Sequence, residues 1–187
     1  MNLFWRKGYH ATSLKDLETE LAMRPGSIYA AFQSKEALFR ATLDRYSERM
    51  GAELADLIDQ SPSPLAALQQ HLLNLAELAP SERPSTACML VKSLLEVPEE
   101  GALRSFITGH LDRIEDAITK ALQKARQMGE LPAECDTERL ARRVQTYIFG
   151  LKVQAQRQTD PAPMRALCAD LAEELGRISR PAQAQSM

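Results

Sequence analysis

No stretch of this chain approaches the roughly 20 consecutive apolar residues that a membrane-spanning helix requires. Cysteine is scarce. Cys88, Cys135 and Cys168 lie far apart and offer neither a disulfide framework nor zinc-ligand spacing. Histidine occurs three times, at His10, His71 and His110. There is no His-x-x-x-His pair and no Cys-x-x-Cys pair, so no metal site is expected. Glycine is sparse as well, and Gly26, Gly51 and Gly101 stand alone, without the cluster that cradles a phosphate. Strand-type alternation and internal repeats are missing. These absences argue against an enzyme: no catalytic residue and no cofactor is expected. The N-terminus enters an amphipathic helix without a signal-peptide pattern, and the few cysteines suit a reducing cytoplasm.

What is present is helix. Charged residues make up 26% and apolar residues 44%, an ordinary globular balance. The 187 residues can hold one large domain or a small one joined to a medium one. The net charge of −2 hides an asymmetry. Residues 1–50 carry eight Lys/Arg against six Asp/Glu, a net of +2, whereas residues 51–100 carry two against eight, a net of −6. The mildly basic start is the region in which a nucleic-acid surface is sought.

The most informative pattern lies between residues 12 and 46. Gly8 suits the left-handed residue that closes a first helix. Ser13 and Asp16 have capping-box spacing, and Leu14, Leu17 and Leu21 then recur on one helical face. Arg24-Pro25 should break that helix, with Pro25 in the first turn of the next one. In that next helix Ile28 and Phe32 face a small core, leaving Ser27, Tyr29 and Ala30 outward. Ser34 caps a third helix, with Glu36 in its first turn. Two short helices joined in this way place the second in a DNA major groove.

These residues resemble the TetR family of one-component transcriptional regulators. The resemblance runs through Leu3-Phe4-Trp5-Arg6-Lys7-Gly8-Tyr9, Ala11-Thr12-Ser13-Leu14-Lys15-Asp16-Leu17, Gly26-Ser27-Ile28-Tyr29, Phe32 and Ser34-Lys35-Glu36-Ala37-Leu38-Phe39. A weaker one continues through Ala87-Cys88-Met89-Leu90-Val91, Gly129-Glu130-Leu131-Pro132 and Gly150-Leu151. It implies an all-α fold, with an N-terminal three-helix helix-turn-helix domain over 1–46 and a larger helical ligand-binding and dimerisation domain over 47–180. A disordered tail is expected over 181–187. It also implies a basic arm and most of a first helix before Leu3, and this chain begins inside that helix.

The DNA-facing residues expected on this basis divide by role. Lys35 and Tyr29 contact phosphate, and Thr12 and Ser13 offer hydroxyl or backbone N–H groups to phosphate. Arg24, Gly26, Ser27 and Ala30, with Pro25 at the head of the helix, are placed to approach base edges. Arg24 suits guanine and Ala30 a thymine methyl. A solvated turn role for Arg24 and a capping role for Ser27 are the alternatives.

Beyond residue 46 the pattern predicts a long helix over 34–58, a buried apolar helix over 86–97 and a helix of about 28 residues after Gly101. Two final helices open at Asp136 and Asp160, the last with a stripe of Leu167, Leu171, Leu175 and Ile178. Those two helices suit a two-fold four-helix bundle in a homodimer. Its reading helices, about 34 Å apart, would meet successive major grooves of a palindromic double-stranded operator. The resemblance further implies a small-molecule effector. Cys88, Met89, His110 and Tyr147 are the candidate pocket residues. His110 is a ligand contact or a satisfied core residue. Cys88 is an electrophile- or oxidant-sensing thiol or a small buried hydrophobe. A repressor released by its effector is the leading reading; a helical ligand carrier or adaptor without DNA binding is the other.

Overall fold

The computed structural model describes residues 1–78, 84–157 and 160–178. The expected tail over 181–187 lies outside them. Among the described residues there are nine α-helices and no strands. They are α1 Asn2–Lys7, α2 Leu14–Leu21, α3 Pro25–Phe32, α4 Lys35–Asp59, α5 Pro64–Asn74, α6 Met89–Glu96, α7 Ala102–Gln127, α8 Thr137–Arg157 and α9 Pro161–Arg177. A 3-10 turn, Leu75–Glu77, extends α5.

Helix starts follow the caps that the sequence offers. Ser13 Oγ accepts from Asp16 N while Asp16 Oδ2 accepts from Ser13 N, so the capping box closes in both directions. Ser34 accepts from Ala37 N, Ser63 from Ala66 N, Asp136 from Arg139 N and Asp160 from Ala162 N. Each satisfies a backbone N–H that the first helical turn leaves without an internal partner.

Helix ends were less well anticipated. α2 stops at Leu21, ahead of the expected break at Arg24-Pro25, because Ala22 takes the left-handed conformation (φ 50°, ψ 37°) and its N–H bonds back to Glu18 and Thr19 carbonyls. Gly8 does have positive φ, but with ψ 171° it lies outside the left-handed helical well. The expected buried helix over 86–97 is shorter, beginning at Met89 with Cys88 as N-cap. Thr86 leaves the helix because its hydroxyl donates to the Lys152 carbonyl and its N–H to Gln156 Oε1. On the same helix Leu95 is 82% exposed, so burial covers one face only.

Two apolar clusters form. One joins α1–α4 to Cys88, Met89, Leu90, Val97 and Ile107. The other gathers the far end of α4, from Leu54 onward, with α5, α7, α8 and α9. α4 therefore runs from one cluster into the other, and α6 packs with the N-terminal one. On α9 the inward row is Met164, Cys168, Ala172 and Leu175. This corrects the expected stripe: Leu167 faces outward at 36% exposure, as does Val153 of α8 at 47%.

Candidate nucleic-acid interface and ligand cavity

α2 and α3 pack on each other and α3 on α4. Ile28, 2% exposed, and the half-buried Phe32 hold α3 down. The opposite face is open. Arg24 is the N-cap of α3, Pro25 fills its first position, and Arg24, Pro25, Gly26, Ser27, Tyr29 and Ala30 are all exposed. Ser27, Tyr29 and Ala30 thus face outward, as their spacing predicted. Gly26 has nothing within 4 Å of the place a Cβ would occupy, so it leaves the head of α3 unobstructed.

The remaining site residues are arranged less simply. Lys35 Nζ stands 4.6 Å from the centroid of the Tyr9 ring, and burial lowers its pKa while Glu96 pulls the other way. Ser13 is exposed, but its hydroxyl is committed to Asp16. The Thr12 side chain differs from expectation. It is fully buried, and its hydroxyl donates to the Gly8 carbonyl at 2.6 Å. Thr12 therefore locks the α1–α2 connection, and its hydroxyl is turned away from any phosphate. Lys7 Nζ reaches Asp16 Oδ1 at 2.7 Å across the same connection, and that bond, with the Ser13 bonds, lowers the Asp16 pKa.

α6 clamps the α1–α2 unit from behind, which the sequence did not reveal. Trp5 Nε1 donates to the Ala87 carbonyl at 2.7 Å, and Lys92 Nζ to the Trp5 carbonyl at 2.6 Å. Glu96 Oε2 accepts from Tyr9 N at 2.7 Å. The Glu96 carboxylate sits where a Cβ on Gly8 would stand, so a side chain there would push it off Tyr9 N, and the positive φ of 87° favours glycine in its own right. Partners 82 to 87 residues apart in sequence leave no local pattern to find.

A cavity of about 420 Å³ opens between α4, α5, α7 and α8, within the size range of small-molecule sites. Of the four expected pocket residues, Cys88 and His110 line it. Met89 does not; at 1% exposure it is core between α6 and α4. Tyr147 does not either. Its phenol receives an Arg143 Nε hydrogen bond at 2.7 Å and donates to Glu174 at 3.0 Å, on the α8–α9 surface. Cys88 is 4% exposed and lies against the Tyr46 phenol, whose pKa is raised by burial first and by Cys88 next. The sequence analysis missed Asp44, Arg113, His71 and Lys152, which also line the cavity, because they come from four different helices. Burial, aided by Lys152, lowers the His71 pKa to about 4. Among the described residues no cluster of His, Cys, Asp and Glu fits a metal ion, and no helix is long and apolar enough to cross a membrane.

An all-helical body that holds a short exposed helix on a capped turn defines a helix-turn-helix protein. The family model of bacterial regulatory proteins of the tetR family matches residues 1–42, and that of the tetracyclin repressor-like C-terminal domain matches residues 63–171. The chain is 31% identical over 158 residues to the HTH-type transcriptional repressor ComR of Escherichia coli K12, across 83% of this chain and 75% of ComR. A cysteine variant of the TetR-family regulator CifR, complexed with 26-base-pair operator DNA, has a TM-score of 0.81 at 30% identity, over 94% of this chain and 90% of CifR. Reduced Escherichia coli NemR shares the fold, with a TM-score of 0.77 at 19% identity over 94% of this chain and 90% of NemR. The chain belongs to the TetR family of bacterial regulatory proteins.

Proposed function

We propose that this protein is a cytoplasmic repressor that binds a palindromic operator as a homodimer and releases it when a small molecule enters the α4–α8 cavity. The observation that carries the reading is the open face of α3, with Arg24 to Ala30 exposed on a helix pinned from below by Ile28. That face lies on a unit of residues 1–46; residues 47–180 supply the partner surface and most of the cavity wall, to which the first unit adds Asp44 and Tyr46. α4 is shared by both, and α6 is latched to the first. Arg24, Gly26, Ser27 and Ala30 face bases; Tyr29, Lys35 and the Ser13 end of α2 face phosphates. Ligand in the cavity shifts α4 and so the separation of the two reading helices, with the 1–3 kcal/mol of coupling typical of such systems.

Fluorescence anisotropy with promoter DNA next to the gene tests this reading. Arg24→Ala is expected to weaken operator binding by about 1–3 kcal/mol; unchanged affinity removes the base-contact assignment. Cys88, on the cavity wall, gives the same assay a second use. If an electrophile is the inducer, N-ethylmaleimide releases operator from the wild type and leaves Cys88→Ser bound. Equal release from both discards the thiol sensor.

A further inference from the structure

Among the described residues, one fully buried polar atom of the cavity wall lacks a hydrogen bond, Nε2 of His110. His110 is 2% exposed, and its Nδ1 is hydrogen-bonded to Arg113 Nη2. A guanidinium has only N–H groups to offer, so Nδ1 accepts and the ring proton of the neutral imidazole sits on Nε2. Burial first, then Arg113, lower the pKa of the ring, with Asp44 and Glu48 opposing. Nε2 lies 3.0 Å from Asp44 Oδ1, yet it is, among the described residues, the buried side-chain polar atom left without a hydrogen bond. The two atoms are at ion-pair distance and Asp44, half exposed on α4, raises the ring's pKa, but the pair falls short of hydrogen-bond geometry. A buried donor in that condition costs free energy until something accepts from it.

The rest of the wall narrows what that acceptor can be. Asp44 and Glu48 balance Arg113 and Lys152, so these side chains give the lining no net charge. An anion set on Nε2 would stand beside both carboxylates. An ammonium could pair with Asp44 or Glu48, but it would bring no acceptor for Nε2–H and would face the Arg113 guanidinium. Leu54, Ile114, Ile148 and Phe149 supply the apolar wall.

We propose that the cavity selects an uncharged molecule with an oxygen acceptor (carbonyl, ether or hydroxyl) on an apolar skeleton, the oxygen accepting from His110 Nε2–H and the skeleton lying against Leu54, Ile114, Ile148 and Phe149. This rests on the reading of the cavity as the effector site and states its chemistry. It also names the trigger. The ligand oxygen takes the position beside Nε2 that Asp44 now approaches, and Asp44 belongs to α4, the helix on which α3 packs.

Four naphthalene probes of one shape test it by calorimetric titration of the full chain without DNA. 2-Acetylnaphthalene is neutral with an acceptor, 2-ethylnaphthalene neutral without one, 2-naphthoate anionic and 1-(2-naphthyl)ethylamine cationic. The wild type is expected to bind 2-acetylnaphthalene about tenfold tighter than 2-ethylnaphthalene and tighter than either ion. His110→Phe should bind both neutral probes alike, and His110→Gln, which restores a donor, should recover part of the difference. If either variant fails to fold, the four-probe ranking on the wild type decides alone. Equal binding of the two neutral probes, or preference for an ion, overturns the proposal while leaving the cavity a ligand site. Failure of all four to bind overturns the cavity reading with it.

Discussion

His71 shows at the residue scale how position sets chemistry. In the unfolded chain its pKa is near the ordinary 6.5; in the fold it is lowered to about 4, by burial and then by Lys152. As pH falls through 6.5 the unfolded chain takes up a proton that the folded chain refuses. Stability is therefore full above pH 6.5 and declines down to about pH 4. His110, lowered in the same direction, adds to the slope. Urea-unfolding midpoints should show a loss of about 1 kcal/mol from His71 between pH 7 and 5.5. His71→Gln should flatten that slope in part, and an unaltered slope would exclude His71 as its source. None of this was legible beforehand. A histidine after two glutamines in an amphipathic helix reads as solvated until α8 brings Lys152 to it. By contrast, Ser13, Ser34, Asp136 and Asp160 were legible as caps because a cap acts within three residues of itself.

Among elements, α6 departs most from its sequence reading. Its apolar run predicted a buried helix, and its first turn is buried. Its function in the fold comes from the polar residues, however: Lys92 and Glu96 tie it to the carbonyl of Trp5 and the N–H of Tyr9. Tyr9 in turn underlies Lys35. α6 thus begins at Cys88 on the cavity and ends at the support of Lys35, for which a phosphate contact is proposed. Glu96→Ala leaves Tyr9 N without its acceptor and frees that loop, so operator affinity should fall by about 1 kcal/mol. Glu96→Gln, which keeps an acceptor oxygen, should lose less. Anisotropy titrations of the two variants check the order, and wild-type affinity in Glu96→Ala would show that the latch does not support the reading unit.

For the whole molecule, the question is where the two-fold surface lies. The stripe Leu167, Leu171, Leu175 and Ile178 was read from spacing, but Leu175 is 1% exposed within its own chain. Outward-facing Val153 and Leu167 are the apolar residues that α8 and α9 leave for a second copy. Val153→Glu combined with Leu167→Glu should shift sedimentation from dimer to monomer without lowering helix content. A dimer that persists would place the contact elsewhere.

The split between the two sources of information follows from range. Capping, the positive φ at Gly8, the boundaries of long helices and the outward face of α3 depend on neighbours within a few residues. The sequence by itself therefore determined an all-helical chain with a helix-turn-helix at its start. The cavity wall, the Asp44–His110–Arg113 arrangement, the Glu96 latch and the choice of which leucines on α9 stay outside were decided only by the tertiary structure. Each requires side chains from separate helices to be brought within a few ångströms, and helical periodicity marks which face of a helix is apolar without saying which partner will cover it.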